Sequence, residues 1–278
     1  MPSNILIVGA SGTVGSEIVR VLKAAGHSVR TTTSKPTTAP DQVHVNLATG
    51  EGLDAAFAGI DRAFFLSPGG HADQYKILAP LIAKAKAANL KKVVLMTAAG
   101  VEMNPEGPMR KAEIDLENSG VPYNIIRPTW FMQNFNTFWV YGIKEFGAIR
   151  LPAGDGQVGF IDSRDISAVA AKLLTEDALS GKTITLTGPA LMTHADVAAE
   201  ISKVAGKTVT YSDVDPAELK GVLLGAGLPA DYVELLLMLM TYVKAGYSAS
   251  LSTGVQDVLG RAPGSFQTYA QDFKASWV

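Results

Sequence analysis

The sequence predicts an α/β protein: a doubly wound parallel sheet followed by a smaller, mostly helical C-terminal lobe. Three observations lead there. An apolar strand, Ile5 to Val8, runs straight into a glycine turn (Gly9, Gly12, Gly15) and then into a helical pattern. Strand and helix patterns alternate from that point to Ile126. Beyond Arg127 the alternation gives way to an aromatic segment and shorter, irregular elements.

Four consecutive apolar residues rich in β-branched types suit a strand covered on both faces. The glycines let the chain turn tightly and bring its backbone close to a ligand. Val14, Ile18, Val21, Leu22 and Ala25 then fall on one helical face, and Gly26 stops the helix. Strand, glycine turn and helix together present free N–H groups and the positive end of a helix dipole. Such a site suits the pyrophosphate of a dinucleotide and marks the sheet as Rossmann-type. Gly9, Ser11, Gly12, Thr13, Val14 and Gly15 are the expected cradle.

The second strand, Ser28 to Thr32, ends in the turn Thr33, Ser34, Lys35, Pro36. An NAD-selective site places an acid here for the ribose 2′-hydroxyl. This turn has none, and the first acid after it is Asp41. Ser34 offers a 2′-phosphate a hydrogen bond and Lys35 offers it charge, with Arg30 a second candidate, so NADP is preferred over NAD. A third strand, 43–47, brings Asn46 and Leu47 toward the adenine, and a short helix follows over 51–58. The fourth strand, 63–66, ends at Leu66, and its exit loop from Ser67 to Gly70 borders the cofactor. A helix over 73–89 turns Tyr75, Leu78, Ile82 and Ala85 inward, and Pro80 should kink it. The fifth strand, 93–96, leads into Thr97 and Ala98. A helix over 108–119 and a sixth strand, 123–126, complete the alternation.

Residues 127–135, RPTWFMQNF, open an aromatic stretch at a strand's carboxyl end, where ligands bind in this architecture. Core packing and a flat apolar substrate pocket are both open readings, with Trp130, Phe131, Asn134 and Phe135 as the pocket candidates. Farther on, a strand near Phe160 leads into a helix reaching Leu174, with Ser163 as N-cap and Asp165 in the first turn. A strand over 183–186 follows. Thr193 and Asp196 form a capping pattern for a helix to Ala205. Two further helices cover 215–224 and 231–244. The second is apolar on nearly all sides, which suits burial, an interface or a lid over the site. Phe266, Tyr269, Phe273 and Trp277 share one helical face and should dock the C-terminus. The expected division is a core over 1–150 and a smaller substrate lobe over 151–278, with 157–187 returning to the core.

Composition narrows the function. The chain has 278 residues, 47% hydrophobic and 18% charged, and a formal net charge of −2 with no long basic run. A nucleic-acid-binding face is not expected. There is no cysteine, so disulfides, thiolate metal sites and a cysteine nucleophile are excluded. The four histidines show no metal-ligand spacing, and each reads as a surface or satisfied core residue. The apolar run from Leu235 to Met240 is too short to span a membrane. The chain starts on a strand rather than a leader pattern, so the expected location is the cytoplasm.

The glycine turn, residues 127–135, 152–156 (PAGDG), 161–166 (IDSRDI) and 187–189 (TGP) resemble the NmrA-like, atypical short-chain dehydrogenase family over most of the chain. The resemblance implies a Rossmann core, a small C-terminal lobe and a substrate cleft between them. It is more distantly a likeness to triphenylmethane reductase and NADPH quinone oxidoreductase. Relatives carry Arg or another base after the second strand, where Ser34 and Lys35 stand, and often Asp at Asn46. The Tyr-x-x-x-Lys pair of short-chain dehydrogenases is missing: no Tyr has Lys four residues on. Atypical relatives place Lys four residues before a helix Glu. The matching Glu is Glu113, and Met109 holds the Lys position, with Lys111 pointing elsewhere. Their Ser after the fifth strand is Ala98 here, beside Thr97.

Two functions compete. One is an NADPH-dependent oxidoreductase acting on a small aromatic or quinone-like substrate, with Thr97 the one catalytic candidate. The other is a non-catalytic redox sensor or regulator of the NmrA type, with a protein partner. Sugar-nucleotide or isoflavonoid-type reduction is a weaker third reading, because the missing pair speaks against it.

Overall fold

The computed structural model describes residues 3–278. The chain begins β1 (Asn4–Ile7), α1 (Thr13–Ala24), β2 (Ser28–Thr33), β3 (Gln42–His44), α2 (Leu53–Phe57), β4 (Arg62–Phe65), α3 (Tyr75–Ala87), β5 (Lys92–Met96), α4 (Pro108–Glu117) and β6 (Tyr123–Pro128). It continues α5 (Val140–Phe146), β7 (Ala148–Arg150), α6 (Ser163–Thr175), β8 (Lys182–Leu186), α7 (His194–Ala205) and β9 (Thr210–Ser212). The last helices are α8 (Pro216–Gly225), α9 (Ala230–Lys244), α10 (Gly254–Leu259) and α11 (Phe266–Asp272).

Seven strands form one parallel sheet in the order β3-β2-β1-β4-β5-β6-β8. The order reverses at β1, which opens a crevice at the carboxyl ends of β1 and β4. Side-chain alternation explains the two covered faces. Ile5, Ile7, Phe64, Val94 and Ile126 point into a core with α1, α6 and α10. Leu6, Ala63, Phe65, Val93, Leu95 and Ile125 point the other way, into a core with α2, α3 and α4.

A third core belongs to the C-terminal lobe, where a small parallel pair, β7 and β9, packs with α7, α8, α9 and α11. α6, β8 and α10 return to the sheet. The C-terminal aromatics dock on the lobe, although α11 ends at Asp272 and they do not share one helix: Phe266, Tyr269 and Trp277 lie inside, with Phe273 packed at the margin. Trp277 Nε1 donates to Phe135 O at 2.8 Å, and the Tyr269 hydroxyl donates to Asn136 Oδ1 at 2.8 Å. No helix among the described residues is long and apolar enough to cross a membrane.

The aromatic stretch after β6 forms a short 3-10 turn, Met132–Phe135, before α5. Several local expectations are corrected. Asp162, not Ser163, caps α6, and its carboxylate accepts from Arg164 N at 2.8 Å. Ala25 lies exposed at the end of α1 rather than on its buried face. α9 buries one face (Val233, Leu236, Met240, Val243) and leaves Met238 and Tyr242 exposed, so it is not buried on all sides.

Candidate cofactor and substrate cleft

The turn after β1 is built by three glycines with different duties. Gly9 has φ +77°, and a Cβ there would meet Leu66 Cδ1 at 2.8 Å. At Gly15 a Cβ would meet Gly9 O at 2.3 Å, so this glycine seats α1 against the turn. At Gly12 a Cβ would meet nothing closer than Gly9 O at 3.4 Å, because this position faces the cleft. Gly12 is the N-cap of α1, with no side-chain cap and no acid in the first turn. By contrast, Asp162, Thr193, Asp215 and Ser265 cap their own helices. The α1 start thus leaves N–H donors and a positive dipole end open to a ligand.

The cleft along the carboxyl edge has a volume of about 710 Å³. It runs from Thr33, Ser34, Lys35 and His44 at the ends of β2 and β3, past Gly9 to Val14, to Met96 and Phe131 at the ends of β5 and β6. Its lining contains no Asp or Glu. The residues present fit a dinucleotide: an open helix start for the pyrophosphate, a basic and hydroxylated end, and an apolar end.

Most residues singled out from the sequence meet here. Gly9, Ser11, Gly12, Thr13, Val14, Ser34, Lys35, Asn46, Leu47, Leu66, Ser67 and Phe131 line the cleft. Lys35 N donates to Thr33 Oγ1 at 3.1 Å, which sets the turn carrying it. Asn46 Oδ1 accepts from Ala48 N and Thr49 N at 3.0 and 3.2 Å, so its oxygen holds the loop and only its amide N–H₂ is left for adenine. Arg30 is committed elsewhere, donating to the carbonyls of Ala55, Ala56 and Ala58 at the end of α2.

Other candidates lie apart. Gly15, Thr97, Ala98, Trp130, Asn134 and Phe135 are not in the lining. Phe135 is buried in the lobe core, ringed edge-on by Phe160 and Phe266. The Thr97 hydroxyl donates to Glu113 Oε1 at 2.6 Å. Glu113 is fully buried and also accepts from Arg127 Nε and Nη2 at 2.9 and 2.6 Å and from Arg110 at 2.9 Å. Burial opposes ionisation of Glu113, but the Arg127 pair and the Thr97 hydroxyl outweigh it and hold the carboxyl below the usual carboxylate range. Glu113 is therefore an anion that fixes Thr97, and the Thr97 proton is not aimed at the cleft.

Sequence reasoning missed His44 and His71, which line the cleft, and Met96 at its apolar end. His44 ends β3, and the strand's carboxyl edge was the available signal. His194 also departs from expectation. It is buried with Nδ1 unpartnered, stacked on Tyr211 and edge-on to Phe135 and Phe160. Burial holds its imidazole down at about 4.

The fold and this cleft define a Rossmann-type NAD(P)-binding protein. Residues 1–260 match the NmrA-like family, and the chain belongs to it. It is 30% identical to the NAD(P)H azoreductase of Xenophilus azovorans, over 98% of this chain and 99% of that one. Triphenylmethane reductase of Citrobacter sp., solved with NADP(H), superposes with a TM-score of 0.81 at 24% identity, covering 97% and 99% of the two chains. Nmra, a negative transcriptional regulator solved in complex with NAD, gives a TM-score of 0.77 at 16% identity, covering 98% and 95%.

Proposed function

We propose that this protein is an NADPH-dependent oxidoreductase that passes hydride to a flat, conjugated acceptor of the quinone or dye class. The carrying observation is the two-ended cleft: Ser34 and Lys35 at one end, Met96 and Phe131 at the other, and no carboxylate between. The nicotinamide, when bound, supplies the hydride; the chain supplies position and exclusion of water. The N–H groups at the start of α1 hold the pyrophosphate. Lys35 and Ser34 favour a 2′-phosphate over a free hydroxyl. Phe131 and Met96 offer an apolar surface to the acceptor. A conjugated acceptor delocalises the incoming charge and takes its proton from water. A Tyr/Lys pair is then dispensable, and Thr97 can remain bonded to Glu113. The name of the 30%-identical azoreductase points to the same class of acceptor.

NADPH consumption by the purified protein with azo dyes, triphenylmethane dyes and quinones tests the reading. Turnover with at least one class is expected, faster with NADPH than with NADH. Tight NADPH binding without turnover of any of them would reject it.

A second reading is a regulator that senses the cofactor's redox state. It is favoured by the missing Tyr/Lys pair and by the engagement of Thr97 with Glu113. A sensor must bind NADP⁺ and NADPH with different affinity, since equal affinity shifts no equilibrium. Calorimetry with each form decides it, and equal affinities would remove the reading.

A further inference from the structure

Lys35 and His44 line the cleft where β2 and β3 end, while His71 lines it from the loop after β4. Thr33 and His44 are direct partners in the parallel register, so their side chains leave the same face of the sheet. Val45 N donates to Thr33 O at 2.9 Å and locks the two strand ends together. Thr33 Oγ1 in turn accepts from Lys35 N, which folds the Lys35 turn at the same edge. Lys35 and His44 are both exposed and both line the cleft. Competing groups are engaged elsewhere: Arg30 caps α2, and Asp41, the nearest acid, pairs with Lys23 at 2.5 Å.

We propose that His44 is a specificity-determining residue of this cleft, donating an imidazole N–H to the 2′-phosphate of NADP alongside Ser34 and Lys35. The inference rests on the NADPH reading above. A phosphate monoester presents three acceptor oxygens, and one lysine is a single flexible point charge. An imidazole from the adjacent strand adds a donor from a second direction, and it carries at least one N–H in either protonation state. This gives β3 a part in choosing the cofactor, beside the turn after β2.

Fluorescence titration of the full-length protein with NADPH and with NADH tests this without any substrate. The wild type should bind NADPH at least tenfold more tightly. His44→Ala should lower that preference about five- to tenfold, the effect of one hydrogen bond to a charged group at an exposed edge, and leave NADH affinity unchanged. A preference that survives His44→Ala but is lost in Lys35→Ala overturns the role of His44 and keeps the NADPH reading. Equal weakening of both cofactors overturns it too, because His44 would then shape the adenosine pocket. A wild type with no preference overturns the NADPH reading itself.

Discussion

Gly12 and Gly15 stand three residues apart in one turn and answer to different constraints. A methyl at Gly15 would lie 2.3 Å from a backbone oxygen, and backbone does not yield as a flexible side chain does. Gly15→Ala should destabilise the protein by about 2–3 kcal/mol, read as a lower midpoint in urea. Gly12 has extended backbone, and its methyl would project into the cleft. Gly12→Ala should leave the urea midpoint within about 0.5 kcal/mol of wild type and weaken NADPH binding at least tenfold. If both variants lose stability equally, the division of duties is wrong. Glu113 is a second residue whose role is set by its neighbours. Glu113→Ala would remove the buried carboxylate that Arg127 and Arg110 share, leaving Arg127 only its 3.1 Å contact with the half-exposed Glu102, and should cost about 3 kcal/mol in chemical denaturation. The glycine spacing was legible as a cradle from the sequence. Which glycine meets ligand and which meets backbone was not, because that depends on how α1 seats against the turn.

At the scale of elements, side-chain caps close the starts of α6, α7, α8 and α11, whereas the uncapped start of α1 faces the cleft. α7 carries a full capping box, with Thr193 and Asp196 each accepting from the other's backbone N–H. Thr193→Ala should cost about 1 kcal/mol by thermal or urea unfolding, with NADPH affinity unchanged. The cap of α6 does more. Asp162 is buried, accepts from Gln133 Nε2 at 2.9 Å, and pairs with Arg164 at 2.6 Å. It ties the 3-10 turn after β6 to α6, so Asp162→Ala should cost more than Thr193→Ala in the same assay. The Thr193 box was readable because its partners are three residues apart. Asp162 and Ser163 are adjacent residues of capping type, so spacing does not choose between them; Gln133, 29 residues away, holds the Asp162 carboxylate at the helix start. Contacts from distant segments also divide the aromatic stretch. Trp130 to Phe135 look alike in sequence, yet only Phe131 lines the cleft while Phe135 is enclosed by Phe160, Phe266 and Trp277.

At the scale of the molecule, the ring of His194 is enclosed in the C-terminal core among Phe135, Phe160 and Tyr211. Its folded-state value of about 4 lies below the ordinary 6.5, so the unfolded chain binds the extra proton first. Stability should therefore be full above pH 6.5 and fall as the pH drops toward 4, by on the order of 3 kcal/mol. Urea unfolding across this range checks it: His194→Phe should flatten that part of the profile, and an unchanged slope would assign the acid loss to carboxylates instead. What the sequence determined by itself was local and periodic: the strand–turn–helix of the anion cradle, the alternation that makes a doubly wound sheet, the Lys35 turn, and the absence of a Tyr/Lys pair. These are set by neighbours a few residues apart. What only the tertiary structure decided is which side chains share a space: His44 beside the Lys35 turn, Thr97 turned onto Glu113, Phe135 withdrawn into the lobe, and Gly12 left open above an uncapped helix. Contacts between distant segments fix those outcomes, and no spacing along the chain encodes them directly.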